Sequence, residues 1–115
     1  MKLTVSEKIE LAAQAAYAAG KTWIIEREPE LEKLRSGVMY DLCGTAHVQF
    51  KDKRRKDYKE FKAAGYVSEF SGVIEIPYEW KSRQEHDLQL VCATAAKNAL
   101  EALGVSGLRI WDYID

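Results

Sequence analysis

Hydrophobic residues recur at helical spacing in three stretches of the chain. Before the first stretch, Thr4 and Glu7 have the spacing of a capping box, and the apolar face that follows comprises Ile9, Ala12, Ala13, Ala16 and Tyr17. Gly20 comes after this face, as glycine often does past a helix end. The pattern predicts a helix over residues 5–19 whose alanine-rich face can lie close against a neighbouring element.

The second helical stretch is short and strongly charged. Asp52 is of a type that caps helix starts, and Tyr58 and Phe61 recur at the spacing of an inward face. Gly65 ends the pattern. We therefore expect a short helix over residues 53–64, with most of its charged side chains in solvent.

The third stretch predicts the longest helix, over residues 83–103, followed by Gly104. Its expected core stripe is Leu88, Val91, Cys92, Ala95, Ala99 and Leu103. Ser82 and Glu85 have the spacing of a capping box at its start. Because free backbone N–H groups, the helix dipole and the side chain of Arg83 meet there, this start predicts a position for an anion.

Alternating apolar and polar residues predict strands between these helices. Ala46, Val48 and Phe50 alternate with polar residues, and residues 73–80 and 108–114 also favour strands. These elements predict one α/β (α+β) domain over residues 1–115, a two-layer sandwich with a mixed sheet of three to five strands.

The region between the first helix and the first strand is more ambiguous. Residues 22–26 favour a short strand or an extended link. The charged residues 27–36 fit either a surface loop or a short helix beginning at Pro29, since proline suits the first helical position.

Composition adds limits on compartment and partner. The 115 residues include 17 basic and 18 acidic side chains, so binding to a polyanion would need a local basic patch. Cys43 and Cys92 are too few for a disulfide framework and are expected to be reduced thiols. The chain start lacks a secretory signal pattern, and no apolar run approaches the ~20 residues of a membrane span. We expect a cytoplasmic protein with no membrane contact.

The most basic stretch lies within residues 51–62, where three acidic residues are interleaved. Its basic residues are Lys51, Lys53, Arg54, Arg55, Lys56, Lys59 and Lys62. One interpretation is a solvated helix face with ion pairs one turn apart. The other is a contact surface for phosphates or for an acidic protein.

The spacing of cysteine and histidine residues does not favour a catalytic site or a metal site. Cys43 and His47 on one strand would lie roughly 13 Å apart, too far for a nucleophile and its base. His86 and Cys92 do not share a helix face, and no pair has the spacing of a zinc site. We expect neither a cofactor nor a metal, and no enzymatic activity.

Aromatic residues concentrate on the last two predicted strands. Tyr78, Trp80, Trp111 and Tyr113 could pack into the core if these strands are neighbours, or form an exposed contact patch. Trp23 and Tyr40 could belong to the same cluster.

From Cys43 to Asp115 the sequence resembles a loose group of small tailed-bacteriophage proteins. The likeness is carried by Cys43-Gly44-x-Ala46-x-Val48, the basic stretch with Phe61 and Gly65, Ser71-Gly72-Val73, Ser82-x-Gln84, Leu103-Gly104-Val105 and Asp115. The charged residues 26–36 depart from the group's pattern. The resemblance implies a phage protein acting in the bacterial cytoplasm, where small accessory proteins often bind and inhibit host factors such as CRISPR systems.

The expected function is a non-catalytic binding module that binds and modulates a host protein, for example as an anti-defence or anti-CRISPR inhibitor. Its expected binding residues are Lys53, Arg54, Arg55, Lys56, Ser82, Arg83, Gln84, Tyr40 and Trp80. We expect the long helix's start and the basic stretch to share one accessible surface. The alternative is a nucleotide- or nucleic-acid-binding protein that holds phosphate at Ser82 and the basic stretch.

Overall fold

Three helices and two strands make up the described chain, in the order α1 (Val5–Leu34), β1 (Gly44–Phe50), α2 (Lys56–Ala63), α3 (His86–Ala102) and β2 (Leu108–Ile114). The structure, a computed structural model, describes residues 2–34 (side chains to 27), 44–68, 71–78, 80 and 85–114. This architecture confirms the expected α+β class. The expected sheet of three to five strands is not found in these residues, which form a two-stranded sheet.

The two strands pair antiparallel along their whole length. Gly44 lies opposite Ile114, and Phe50 lies opposite Leu108. The predicted half-buried strand in β1 is confirmed, because alternate residues Ala46, Val48 and Phe50 are buried. The last predicted strand, residues 108–114, is also confirmed.

The predicted strand over residues 73–80 does not form as a strand. Its first residues do run beside β1, where the Ile74 N–H donates to the Val48 carbonyl at 2.8 Å. Isolated bridges join Gln49 to Val73 and Val67 to Ile74. Pro77 has no N–H to continue such a ladder, so the segment adds a short extended margin to the sheet.

Helix α1 is twice the predicted length, because Gly20 does not end it. Residues 22–26, expected to be extended, are helical, and residue 27 onward continues the same helix to Leu34. A Cβ on Gly20 would lie less than 3 Å from the Trp80 ring and from Cys92 Sγ. Gly20 therefore lies within the helix and allows Trp80 and Cys92 to pack closely against it; it does not end the helix.

The starts of the other two helices differ from the prediction. Helix α2 begins at Lys56, with Arg55 extended as its N-cap, because Asp52 accepts the Arg54 N–H at 2.9 Å and closes a turn before the helix. Helix α3 begins at His86, with Glu85 extended as its N-cap and no side-chain capping bond. The expected starts at residues 53 and 83 are therefore wrong.

The ends of α2 and α3 follow the glycine rule. Gly65 has φ +87° and Gly104 has φ +90°, the left-handed region that favours glycine. Tyr66 N–H donates back to the Phe61 carbonyl at 3.1 Å, and Val105 N–H donates back to the Leu100 carbonyl at 3.0 Å. These bonds satisfy carbonyls that the helix ends leave without partners.

Helix α3 is buried on more than one side, which the predicted single stripe did not anticipate. Leu88 and Cys92 are buried as expected, but the other buried positions are His86, Gln89, Ala93, Ala96 and Leu100. Cys92 Sγ lies against Gly20 of α1. Ala93 and Ala96 line a small cavity together with β1 residues. The helix packs on α1 and on the sheet at once, so its apolar surface is wider than one stripe.

We expect Gly20→Ala to destabilise the protein by about 1–3 kcal/mol, because the added methyl group overpacks the contact with Trp80 and Cys92. Helix propensity alone predicts the opposite sign, a gain of about 1 kcal/mol. Urea unfolding followed by circular dichroism measures the difference.

The matched control is Ala18→Gly, at an exposed position of the same helix, which should cost about 1 kcal/mol through propensity alone. A Gly20→Ala variant more stable than the parent protein would contradict the close packing described here.

Candidate binding surface on the sheet

One face of the sheet carries a set of polar and aromatic side chains that we call the outer sheet face. It consists of Thr45, His47 and Gln49 of β1 and Arg109, Trp111 and Tyr113 of β2. The residues between them on β1 point to the core beside α3. Trp111 and Tyr113 are 42% and 45% exposed, unusual for large aromatic side chains on a strand.

The aromatic rings on this face hold one another in place. His47 and Trp111 are directly opposite, with ring centroids 5.8 Å apart, and the Trp111 and Tyr113 centroids are 5.7 Å apart. Such contacts fix ring orientation before any partner arrives. The result is a preformed row of three rings across two strands.

The outer sheet face becomes cationic towards the end of β1. Arg109 Nε donates to Gln49 Oε1 at 2.7 Å, which fixes its guanidinium on the face. A Cβ on Gly72 would lie 3.9 Å from Gln49 Cγ and 3.9 Å from Lys53 Cε, so the Gln49 and Lys53 side chains both pass beside this glycine. The ring row therefore leads directly to positively charged side chains.

The segment Lys51–Lys56, which we call the basic segment, is anchored to the turn before β2. Lys51 N–H donates to the Gly107 carbonyl at 2.8 Å. Arg55 Nη1 donates to Ser106 Oγ at 3.1 Å. The Ser106 N–H in turn donates to Asp57 Oδ2 at 3.1 Å. Backbone and side-chain bonds thus order this segment at the end of the sheet.

The charges of the basic segment are partly balanced by neighbouring carboxylates. Arg54 Nε lies 3.1 Å from Asp52 Oδ1, and Lys56 Nζ lies 3.7 Å from Glu60 Oε1. Hydrogen bonding from Arg54 lowers the pKa of Asp52, while the same contact raises the pKa of Arg54. The Arg54 side chain is still 91% exposed, so its guanidinium remains accessible to a partner.

The start of α3 lies at the other end of β1 from the basic segment. His86 Nε2 is 2.8 Å from Asp112 Oδ2, and a Cβ on Gly44 would meet the His86 side chain. Gly44 begins β1 and Phe50 ends it, so roughly 20 Å separate the two sites along the strand. The described start of α3 is therefore far from the basic segment, whereas Ser82 and Arg83, on which the prediction of a shared surface rests, lie outside the described residues.

Of the remaining predicted binding residues, the structure describes Trp80, which packs on α1 and not on the outer sheet face. Ser82, Arg83, Gln84 and Tyr40 lie outside the described residues. Trp80 stacks on Tyr17 of α1 at 5.4 Å, and its indole N–H donates to the Tyr17 carbonyl at 2.9 Å. Trp80 is therefore a packing residue against α1 and does not cluster with Trp111. Trp23, the other aromatic considered, is buried.

For Trp111 and Tyr113 the structure decides between the two alternatives that the sequence leaves open, in favour of an exposed patch, and it adds Arg109, which no sequence signal singles out. Their alternation along residues 109–113 was visible as a strand face. What the sequence did not show was their partner strand, because pairing with β1 is set by tertiary contacts between distant segments.

The described residues include neither an accessible thiol nor a cluster of metal-ligating side chains. Burial raises the pKa of the Cys92 thiol to about 11, so it is neutral and unreactive at ordinary pH. Cys43 lies outside the described residues. Within residues that the structure describes, no three His, Cys, Asp or Glu side chains come together as metal ligands.

Burial also raises the pKa of Tyr78, whose hydroxyl donates to Gln89 Oε1 at 3.2 Å. Gln89 Nε2 donates to the Trp80 carbonyl at 2.7 Å. These bonds satisfy the buried amide of Gln89 and join α3 to Tyr78 and Trp80, so Tyr78 and Gln89 have a structural role.

Comparison with protein-family models, with curated proteins and with solved structures gave no match to this chain. Among its described helices, none combines the length and apolar character needed to cross a membrane.

We expect Cys92 to resist thiol reagents while the protein is folded. In a Cys43→Ser variant, Cys92 is the only thiol, and its modification by a chromogenic disulfide near neutral pH should require unfolding. Rapid modification in the native state, followed by absorbance, would show that the α1–α3 contact opens readily.

The same raised pKa predicts a pH dependence. Since folding favours the neutral thiol, its contribution to stability is complete below the ordinary pKa of 9.0 and is lost as pH rises towards about 11. Comparison with a variant that also carries Cys92→Ala isolates this contribution from other groups that titrate in that range.

Proposed function

We propose that this protein is a non-catalytic binding module that recognises another protein through its outer sheet face. The observation that carries the proposal is the exposure of Trp111 and Tyr113 on a sheet face where their rings contact each other and His47. Tryptophan, tyrosine and arginine are the residue types that most often dominate binding energy at protein interfaces.

The exposed rings can supply substantial affinity. Covering about 100 Å² of apolar surface on each ring would contribute about 2.5 kcal/mol per ring at 25 cal/mol per Å². Because the rings already contact neighbours, little side-chain freedom remains to be lost on binding. The Arg109 guanidinium, held by Gln49, adds a fixed donor at the edge of the same patch.

The basic segment supports recognition in a different way. Its exposed cations lie beside the cationic end of the outer sheet face, where they can attract an acidic rim on the partner. Exposed charges of this kind mainly accelerate encounter and discriminate between partners. Because the net charge of the whole chain is −1, this attraction arises from the local cations and not from the overall charge.

The resemblance to small bacteriophage proteins supports a bacterial host protein as the partner. A phage protein that covers a functional surface of a host factor would modulate that factor without any chemistry of its own. An inhibitor of a host defence system, including CRISPR, is the specific form that we propose.

Affinity capture from bacterial lysate, followed by binding measurements with the purified partner, tests the protein-binding proposal. We expect the double variant Trp111→Ala/Tyr113→Ala to lower affinity at least about 30-fold, the cost of losing one anchor of about 2 kcal/mol or more. Isothermal titration calorimetry with the captured protein gives the value.

The matched control is Ile25→Ala, which removes an exposed hydrophobic side chain from α1, outside the sheet. It should leave affinity unchanged. If Ile25→Ala weakened binding while the double variant did not, the recognition surface would lie on α1, and the proposed role of the outer sheet face would be wrong.

Single-stranded nucleic acid is a second candidate partner, favoured by the basic segment beside the ring row. Aromatic rings on a sheet can stack on bases while adjacent cations hold phosphates. Lys53 and Gln49 both pass beside Gly72, and Arg55 lies over the turn before β2. These cations lie at one end of the row of rings, where they could contact the phosphates of a nucleic-acid strand whose bases stack on the rings.

Titration with oligo(dT), followed by tryptophan fluorescence at several salt concentrations, tests this candidate. Binding should weaken with salt by a log–log slope of about −0.7 for each phosphate contacted. Lys53→Glu with Arg55→Glu should abolish binding, whereas Lys21→Glu on the exposed surface of α1 should not. Absence of quenching at low salt would leave protein recognition as the function of this face.

A further inference from the structure

We propose that the free edge of β2 pairs with the same edge of a second copy, so that two chains form one continuous four-stranded antiparallel sheet. The described structure gives β2 one neighbour, β1. Five of its seven residues are exposed, with no proline or lysine among the seven to protect the edge.

The direction of the backbone groups in β2 follows from one hydrogen bond. Lys51 N–H donates to the Gly107 carbonyl, and these residues continue the β1–β2 register by one pair. Because hydrogen-bonded pairs alternate in antiparallel ladders, Arg109, Trp111 and Tyr113 direct their backbone groups to β1.

The even-numbered residues of β2 therefore direct their N–H and C=O groups to the free edge. The other margin of β1 confirms this alternation, since Val48 and Phe50 bond to Ile74 and Gly72 there. Residues 108, 110, 112 and 114 thus offer a regular set of donors and acceptors to another strand.

The register of the proposed pairing follows from two-fold symmetry and from the direction of the backbone groups along β2. A two-fold axis at Trp111 places all seven residues of β2 opposite residues of the second copy. Shifting the axis by one residue, to 110 or 112, leaves residues unpaired at the strand ends, and an axis at 112 sets Asp112 against itself. With the axis at Trp111, even-numbered residues of one copy form hydrogen-bonded pairs with even-numbered residues of the other. The direction of their backbone N–H and C=O groups requires this pairing.

Side-chain chemistry on the outer sheet face fits this register. Trp111 lies opposite Trp111 of the second copy, and Arg109 lies opposite Tyr113 of the second copy. Aromatic pairs and cation–π pairs both stabilise neighbouring strands. On the other face Asp112, already bonded to His86, lies opposite Ile110 of the second copy, so no like charges are directly opposed.

The pairing would join two ring rows into one. Each copy contributes His47, Trp111 and Tyr113, and the basic segments lie towards opposite ends of the four-stranded sheet. The second copy is thus a partner of the edge of β2, whereas the proposed partner protein covers its outer face.

A register-specific crosslink tests the inference in the full chain, in a Cys43→Ser background. Residues in a non-hydrogen-bonded pair have Cα atoms about 4.5 Å apart, within disulfide range. Trp111→Cys should therefore form an intermolecular disulfide under mild oxidation. Arg109→Cys alone should not, because the two copies of position 109 would lie roughly 13 Å apart.

The chain without crosslinks provides an independent measurement. Sedimentation equilibrium should give twice the mass of one chain, and Trp111→Lys or Trp111→Glu alone should restore the monomer through like-charge repulsion across the axis. Mixing these two variants should restore the dimer as a heterodimer. A monomeric parent protein at its highest soluble concentration, or equal crosslinking of both cysteine variants, would overturn the proposal.

Discussion

The antiparallel register of β1 and β2 determines which side chains share each face of the sheet. With Gly44 opposite Ile114, His47 lies opposite Trp111, and Gln49 lies opposite Arg109. The same register lets Asp112 reach His86 at the start of α3 and lets Lys51 bond to Gly107 beyond the end of that helix. A shift of one residue would exchange the outer and inner faces, which would bury Arg109 and expose Leu108. The ring row and the ordered basic segment both depend on this pairing.

Close contact between α1 and α3 supports that sheet from behind. Ala12, Ala16 and Gly20 form the buried small-residue face of α1, and Cys92 lies at the contact. Trp80 fills the space beside Gly20 and binds the Tyr17 carbonyl, so the chain entering α3 is tied to α1. Because α3 is thereby fixed on one side, its alanines can hold β1 on another. The position of the outer sheet face is thus linked to a glycine in a distant helix.

Local sequence signals predict the structure best where one residue type has one conformational role. Gly65 and Gly104 end helices because the left-handed conformation needed there is intrinsic to glycine. Gly20 does not end its helix, because its role is set by Trp80 and Cys92, which are far away in the sequence. Asp52 closes a turn and does not cap the helix, because an aspartate side chain suits both roles and the contacts with Arg54 select the turn.

The candidate site was predictable only in part for the same reason. Lys53, Arg54, Arg55 and Lys56 could be identified from charge density alone, but their position beside the sheet depends on bonds to Ser106 and Gly107. For Trp111 and Tyr113 the sequence leaves core packing and exposure as alternatives, because aromatic residues are common both in cores and at interfaces. Their exposure follows from the placement of α3 on the opposite face, which no local pattern encodes.

Exposed aromatic rings and an unpaired strand edge are both unfavourable in a protein that has no binding partner. Rings in water lose the hydrophobic stabilisation they would gain inside, and an unpaired edge invites association with other chains. Among the described residues the two features are found on the same strand, β2, with Trp111 at its centre. A partner on the outer sheet face would cover the rings, and a second copy at the edge would satisfy the backbone groups. Because the rings project from the face and the even-numbered backbone groups point along the sheet, the two partners can bind at once, and each would remove a different cost.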